Sequence, residues 1–116
     1  MTTFICYEKC TTCQKAETWL RQRGTEYASR PIKTQNPTAR ELAGWVAQSG
    51  LPVKRFINTS GLLYKSMQLK DKLPAMTDQQ VFELLATDGM LVKRPILLTD
   101  KGVCPGFKPQ EWEKLL

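Results

Sequence analysis

The sequence contains no histidine among its 116 residues. That absence excludes catalysis by a Cys–His or Ser–His pair, and it excludes every metal site that needs an imidazole ligand. A reactive thiol in this chain must therefore be activated by helix geometry, burial, lysine or arginine. Long apolar runs are absent as well, since no stretch approaches the length that spans a bilayer. No membrane association is expected.

The amino terminus lacks a basic segment followed by a long apolar one, so no signal peptide is expected and the protein is predicted to be cytoplasmic. Structural disulfides are rare in that compartment, where closely spaced cysteines are more often catalytic or metal-binding. The length fits one domain over residues 1–116. The net charge of +6 favours an anionic ligand or an acidic partner. The cations form no dense run, so direct binding of nucleic acid is not expected.

Hydrophobic periodicity predicts a strand, a helix and a second strand at the start of the chain. Phe4–Tyr7 is a short apolar run that suits a central strand. The apolar residues within 13–20 recur at helical spacing, and Gly24 is placed to end that helix. Residues 26–30 predict a second strand, closed by Pro31.

The middle of the chain predicts a helical insert over about residues 37–90. Thr38 and Thr77 each stand three residues before Glu or Gln, which is the signature of a capping box at a helix start. Shorter helices are expected at 53–57 and 64–69.

The last part of the chain again has the pattern of apolar residues that is typical of strands. Residues 96–99 predict a buried strand, which a turn joins to a partner strand beginning at Val103. Pro109 suits the first position of a final helix. The order of elements predicts an α/β fold, a thioredoxin-like mixed four-stranded sheet flanked by helices, with the helical insert in the middle of the chain.

The motif Cys10-Thr11-Thr12-Cys13 places two thiols three residues apart at the predicted start of the first helix. Cys10 would face the unpaired N–H groups of the first turn. Lowering a thiol pKa from about 8.5 to about 6 needs roughly 3.4 kcal/mol. A helix N-terminus supplies at most about 2 kcal/mol, so a nearby cation must contribute the rest.

Cys13 lies one turn further along, so its thiol should be more buried and keep a high pKa. This asymmetry predicts that Cys10 attacks a substrate, and that Cys13 then releases the product by forming a Cys10–Cys13 disulfide. Two alternatives are that both cysteines are inert helix residues or that they bind zinc. Zinc needs four ligands. Cys6 and Cys104, the other cysteines, are expected to be buried apolar filler, so no metal site is predicted.

Lys93-Arg94-Pro95-Ile96 is the second informative motif. An X-Pro bond just before a buried strand is a candidate cis peptide. It would turn the Arg94 backbone toward the dithiol and leave its carbonyl or N–H free for a substrate thiol. The alternative is that Arg94 is an ordinary surface cation.

Together these motifs resemble the ArsC/Spx family over essentially the whole chain. The resemblance is carried by six segments in the same order along the chain, namely Cys10–Ala16, Trp19-Leu20, Phe56–Gly61, Tyr64-Lys65, Asp88–Pro95 and Gly106-Phe107. It implies a thioredoxin-like fold, a cis peptide at Pro95 and a Cys10 thiolate assisted by Arg94. The family comprises arsenate reductases with one cysteine and three arginines, Spx-type regulators that bind the RNA polymerase α-subunit, and arsenate reductase-like thiol reductases.

This sequence departs from the arsenate reductases at two positions. Asn58 stands where their second arginine is expected and Lys108 where the third is expected, so only Arg94 matches. We therefore expect an enzyme, a cytoplasmic thiol-disulfide oxidoreductase in which Pro95, Asn58 and Lys108 position the substrate. It would bind no cofactor and would use glutathione or a thioredoxin- or glutaredoxin-type redox protein as co-substrate.

Three alternatives stay open. The chain is a redox-switched regulator of the Spx type whose partner is the RNA polymerase α-subunit, or it is a true arsenate reductase. The third is a thioredoxin-fold module without active chemistry.

Overall fold

The computed structural model describes residues 2–116. In this part of the chain, four strands form one mixed sheet and six α-helices accompany it. The elements are β1 (Thr3–Cys6), α1 (Thr11–Gln22), β2 (Ala28–Pro31), α2 (Ala39–Ser49), α3 (Leu62–Ser66), α4 (Leu69–Lys72), α5 (Asp78–Leu85), β3 (Ile96–Thr99), β4 (Gly102–Pro105) and α6 (Pro109–Leu115). Three 3-10 turns lie at Val53–Phe56, Leu73–Ala75 and Gly89–Leu91.

The sheet has the strand order β2-β1-β3-β4. The central strand β1 pairs in parallel with β2 and antiparallel with β3, and β3 forms an antiparallel hairpin with β4. This is the thioredoxin-like arrangement that the order of elements predicted, with α2 to α5 inserted between β2 and β3.

The second strand begins two residues later than predicted. The sequence indicated residues 26–30, whereas β2 begins at Ala28 and ends on Pro31. The parallel register sets these bounds, because Thr3 lies opposite Ala28 and Cys6 lies opposite Pro31. A proline is tolerated at this place because β2 is an edge strand, where a missing N–H breaks no ladder.

The sheet separates two apolar cores, because successive side chains in a strand point to opposite faces. In β1, Ile5 belongs to the core beneath the insert, and Phe4 belongs to the core beneath α1. The insert-side core contains the buried residues Ile5, Ile32, Leu42, Trp45, Phe56, Ile57, Leu69, Val81, Phe82, Leu85, Leu91, Val92, Ile96 and Val103. The thiol-side core contains Phe4, Cys13, Ala16, Leu20, Leu97, Cys104 and Trp112.

Both predicted capping boxes are present in the insert. The Thr38 hydroxyl accepts a hydrogen bond from the backbone N–H of Glu41 at 3.1 Å, and the Glu41 carboxylate accepts one from the Thr38 N–H at 3.1 Å. Thr77 and Gln80 make the same pair of contacts at the start of α5. These reciprocal bonds satisfy N–H groups that the first helical turn leaves unpaired.

The single helix predicted over 64–69 is wrong, since two short helices occupy this region. α3 ends at Ser66 and α4 begins at Leu69, because Gln68 between them adopts a left-handed conformation with φ of 54°. The break turns Leu69 into the insert-side core, where it is buried. The helix expected at 53–57 is a 3-10 turn that ends at Phe56. None of the helices within residues 2–116 is long and apolar enough to cross a membrane.

The final helix closes the thiol-side core. α6 begins at Pro109, as predicted, and completely buries Trp112. The indole Nε1 of Trp112 donates a hydrogen bond to the Gly106 carbonyl at 3.0 Å. The ring meets Phe107 edge-on at a centroid distance of 5.1 Å, the geometry that aromatic pairs prefer.

Candidate active site: the dithiol at the start of α1

Cys10 lies at the start of α1, as the motif predicted. It immediately precedes the first helical turn and has an extended backbone, with φ of −89° and ψ of 119°. Its N–H donates to the Tyr7 carbonyl at 3.0 Å. The first turn of α1 carries no acidic residue, so no carboxylate there opposes a thiolate at the positive end of the helix.

The surroundings of Cys10 favour the thiolate. Partial burial raises the pKa of the Cys10 thiol, but the backbone N–H and the thiol of Cys13, the charge of Arg94 and the N–H of Thr12 all lower it. The net result is a pKa below the ordinary value for cysteine. N–H groups and a cation thus lower the pKa of Cys10 together, which agrees with the expectation that a helix N-terminus alone supplies too little free energy.

Cys13 has the opposite environment. Its side chain is 3% exposed, and its sulfur accepts a hydrogen bond from the Tyr7 N–H at 3.4 Å. Burial raises the pKa of Cys13 to about 12, with further contributions from its hydrogen bond to Cys10 and from the negative charge there. The predicted asymmetry in burial and pKa is therefore present. Both cysteines are free thiols, and their roles in attack and resolution stay predictions.

The peptide bond between Arg94 and Pro95 is cis, as predicted. Pro95 is buried, and its carbonyl accepts a hydrogen bond from the Gly106 N–H at 2.7 Å. Within residues 2–116, the backbone N–H and carbonyl of Arg94 form no hydrogen bond. These two groups are therefore free to pair with a substrate.

The guanidinium of Arg94 is held between Tyr7 and the 3-10 turn at Gly89–Leu91. Its Cζ lies 5.1 Å from the centroid of the Tyr7 ring, within cation–π range. Its Nη1 donates to the Met90 carbonyl at 3.4 Å. Its Nε is buried and has no hydrogen-bond partner in the described part of the chain. Two contacts thus hold the Arg94 guanidinium in place, and its Nε makes no hydrogen bond with the described residues.

Asn58 donates a hydrogen bond to the same carbonyl. Its Nδ2 donates to the Met90 carbonyl at 3.2 Å, and its backbone N–H donates to the Leu91 carbonyl at 2.8 Å. The Met90 oxygen therefore accepts from both Asn58 and Arg94. These contacts make Asn58 a support for Arg94, and its contact with a substrate stays a prediction.

Lys108 lines a cavity of about 360 Å³ beside the dithiol, hereafter the proximal cavity. The lining residues are Thr12, Arg55, Lys93, Arg94, Pro105, Gly106, Phe107 and Lys108. Of these eight residues, only Arg94 and Lys108 were predicted as site residues, and the polar ones that the prediction missed are Thr12, Lys93 and Arg55. Thr12 lies within the cysteine motif and Lys93 is next to Arg94, so proximity in sequence was the available signal. Nothing in the local sequence distinguished Arg55 from other cations.

The other two cysteines differ in burial. Cys104 is 6% exposed in the thiol-side core, as expected, whereas Cys6 at the end of β1 is only half-buried. Burial raises the pKa of both thiols. Among residues 2–116, no group of three or more acidic, cysteine or histidine side chains is arranged to hold a metal ion.

The fold and the site define a thioredoxin-like protein with two thiols at the start of the first helix and a cis-proline just before a central strand. Comparison with known families identifies the family within this class. The family model described as ArsC family matches residues 6–115, so the chain belongs to the ArsC family, as its motifs indicated.

Relatives extend over almost the whole chain. The uncharacterized protein YusI of Bacillus subtilis is 44% identical over 112 residues, which cover 97% of this chain and 95% of YusI. The regulatory protein MgsR of the same organism is 31% identical over 113 residues, covering 97% of this chain and 88% of MgsR. The crystal structure of an ArsC family related protein from Bacteroides fragilis has 53% identity and a TM-score of 0.96, covering 99% of this chain and 97% of that one.

Proposed function

We propose that this member of the ArsC family is a cytoplasmic thiol-disulfide oxidoreductase, with Cys10 as the nucleophile and Cys13 as the resolving thiol. One observation carries the proposal, namely the opposite environments of the two sulfurs. Cys10 is partly exposed and has a lowered pKa, whereas Cys13 is buried and has a pKa of about 12. An accessible thiolate next to a protonated, shielded thiol is the arrangement that a two-step exchange requires.

The reaction uses the two electrons of the dithiol to reduce one disulfide. The Cys10 thiolate attacks a disulfide R–S–S–R′, forms a mixed disulfide with R–S and releases R′–S⁻. Cys13 gives its proton to the departing thiolate and attacks the Cys10 sulfur. This step releases R–S⁻ and forms the Cys10–Cys13 disulfide. Glutathione or a thioredoxin- or glutaredoxin-type protein, as external thiol reductant, restores the dithiol.

The contacts of Cys13 set the order of these steps. Its pKa is raised in part by the hydrogen bond to Cys10 and by the negative charge there. Once Cys10 is in a mixed disulfide, that charge is gone and the pKa of Cys13 falls. The Tyr7 N–H, 3.4 Å from the Cys13 sulfur, remains to stabilise the new thiolate. Reaction of Cys10 therefore favours the thiolate of Cys13 at the step in which Cys13 must attack, although burial still opposes it.

The remaining site residues serve the nucleophile and the substrate. Arg94 lowers the pKa of Cys10, behind the larger effects of the Cys13 N–H and thiol, and leaves its own backbone groups free beside Pro95. Asn58 donates a hydrogen bond to the Met90 carbonyl, which also accepts one from the Arg94 guanidinium. Lys108 adds charge to the proximal cavity.

The test is a single turnover of reduced protein with bis(2-hydroxyethyl) disulfide, followed by mass spectrometry. We expect wild type to end as the internal disulfide, Cys13→Ser to stop as a Cys10 adduct, and Cys10→Ser to stay unreacted. A wild-type protein that leaves the disulfide unreduced would overturn the proposal. A parallel reaction with arsenate and a thiol reductant tests the arsenate reductase alternative.

A second candidate function is redox-switched regulation, which the 31% identity with the regulatory protein MgsR favours. The same disulfide would then change a protein-binding surface, with the RNA polymerase α-subunit as the proposed partner. Copurification with the α-subunit in reduced and oxidised states tests this candidate. Binding in one state supports the switch, and absence of binding in both states removes it.

A further inference from the structure

The proximal cavity adjoins a second cavity of about 500 Å³, hereafter the distal cavity, and Arg55 and Lys108 line both. We propose that Arg55, together with Lys108, forms an anion site that selects small disulfides carrying carboxylates, and that Arg55 determines this specificity. The inference rests on the proposed thiol-disulfide activity and adds the class of substrate.

The charge around the two cavities is almost entirely positive. The lining of the proximal cavity includes four cations and no carboxylate. The distal cavity adds Lys101 and Lys114, with Glu111 as its one acidic residue, paired to Lys114 at 3.7 Å. Cations that line a cleft without compensating acids raise the local concentration of anions there.

The cations of the proximal cavity have no carboxylate partner within residues 2–116. The ion pairs of that part of the chain lie elsewhere, at Glu17–Arg21, Arg23–Glu113, Arg30–Glu41 and Glu111–Lys114. The side chain of Arg55 makes no hydrogen bond or ion pair with the described residues. The donors of the Arg55 guanidinium are therefore available to a ligand in the cavities that it lines.

Backbone contacts fix Arg55 relative to Arg94. Arg55 lies in the 3-10 turn at Val53–Phe56, which is anchored by the fully buried ring of Phe56. The Phe56 carbonyl accepts a hydrogen bond from the Lys93 N–H at 2.8 Å. Arg55 directly precedes one partner of this bond and Arg94 directly follows the other. The insert therefore presents both guanidinium groups to the same cavity.

The two arginines act on different parts of the site. Arg94 lines only the proximal cavity and its charge acts on Cys10, whereas Arg55 lines the distal cavity as well. Arg55 is therefore placed for a group of the substrate that lies away from the reacting sulfur. A guanidinium offers two parallel N–H donors that match a carboxylate. A small disulfide that carries a carboxylate apart from its sulfurs fits this layout.

The experiment measures the single-turnover oxidation of reduced protein by two small disulfides at low salt. The probes are 3,3′-dithiodipropionate, with two carboxylates, and cystamine, with two ammonium groups. Each rate is divided by the rate at which neutral iodoacetamide alkylates Cys10, which corrects for any change in the thiolate. Wild type should prefer the dicarboxylate. Arg55→Ala should reduce that preference about tenfold, as expected for one hydrogen-bonded charge pair.

Two further variants make the result specific. Arg55→Lys should recover part of the preference, because it restores the charge without the paired donors. Arg40→Ala is the matched control, since it removes one positive charge from an exposed position of α2. Thermal unfolding of each variant verifies that it is folded.

The outcomes separate this inference from the proposed function. If Arg55→Ala keeps the wild-type preference while Cys10 still reacts, the anion site is overturned and the oxidoreductase activity stands. An equal loss in Arg40→Ala also overturns the site, because the effect then belongs to the overall charge. If neither disulfide oxidises the dithiol of wild type, the proposed function itself fails.

Discussion

On the thiol side of the sheet, Cys13 is packed among apolar and aromatic side chains, whereas on the insert side Arg55 and Arg94 are positioned by short turns. The thiol side is dense and regular, with Trp112 at its centre. The insert side reaches the site through two 3-10 turns, the first of which is bonded through Phe56 to Lys93, two residues beyond the second. The nucleophile and its cations therefore come from separate structural units that meet at one end of the sheet.

This division means that each half of the site can be changed while the other half stays in place. Substitutions in the thiol-side core should alter the shielding of the sulfurs. Substitutions in the insert should alter the charge that surrounds them. Substitutions on each side of the sheet test that independence.

Trp112→Ala should destabilise the protein by about 3–5 kcal/mol, because it removes a fully buried ring. In the remaining folded protein it should also expose Cys13, whose alkylation rate should rise. Leu42→Ala is the control on the insert side, where it is fully buried and should cost about 2–5 kcal/mol. Urea unfolding and mass spectrometry of native alkylation measure both effects. Equal exposure of Cys13 in the two variants would show that the cores are not independent.

Gly89→Ala tests the insert side. A Cβ at Gly89 would lie 2.2 Å from the Ile32 carbonyl oxygen, so the turn that carries Met90 must shift. We expect a loss of about 3 kcal/mol in unfolding free energy, and slower alkylation of Cys10 because Arg94 loses its support. Gly44→Ala is the control, since a Cβ there meets nothing within 4 Å and should stabilise α2 by about 0.5–1 kcal/mol.

Arg94→Ala should raise the pKa of Cys10, because it removes the positive charge that favours the thiolate. Charge pairs at partly exposed sites are worth about 0.2–1 kcal/mol, so alkylation at neutral pH should slow by up to about fivefold. The pH profile of iodoacetamide alkylation measures the shift. A profile identical to that of wild type would remove Arg94 from thiolate stabilisation, leaving the N–H groups of the first turn.

Glu41→Gln should have the smallest effect on the free energy of unfolding, about 0.2–1 kcal/mol, because the ion pair with Arg30 is partly exposed. The hydrogen bonds from Arg30 lower the pKa of Glu41 from 4.5 to about 2. A lowered carboxyl pKa stabilises the fold above the unfolded value, so this contribution is present above about pH 4.5 and is lost as the pH falls toward 2. Unfolding of Glu41→Gln should lack that pH dependence, while the alkylation of Cys10 stays as in wild type.

Much of this organisation follows from local sequence. The capping boxes at Thr38 and Thr77 are short-range patterns with a direct physical meaning, so both were predictable. The strand–helix–strand start and the final hairpin follow from the periodicity of apolar residues and from the residues typical of turns. The left-handed Gln68 was not predictable, because only the burial of Leu69 explains why a non-glycine residue adopts that conformation.

The candidate site likewise contains residues that local sequence predicts and residues that only tertiary contacts place. Cys10, Cys13 and Pro95 belong to motifs whose residues are close in sequence, so their positions were predictable. Arg55 comes from a turn far from either motif, and only the tertiary bond between Phe56 and Lys93 brings it to the cavity. The support that Asn58 gives to Met90 likewise depends on a contact 32 residues away in sequence.

The distribution of indole rings gives each half of the molecule its own fluorophore. Trp19 and Trp112 meet edge-on at 6.0 Å on the thiol side, whereas Trp45 lies in the insert-side core, with the guanidinium of Arg30 5.5 Å above it. Replacing Trp45 with phenylalanine would leave emission that reports on the surroundings of the sulfurs alone. Replacing both Trp19 and Trp112 would leave the emission of Trp45, which reports on the insert. Fluorescence can therefore follow the two halves separately during a redox cycle.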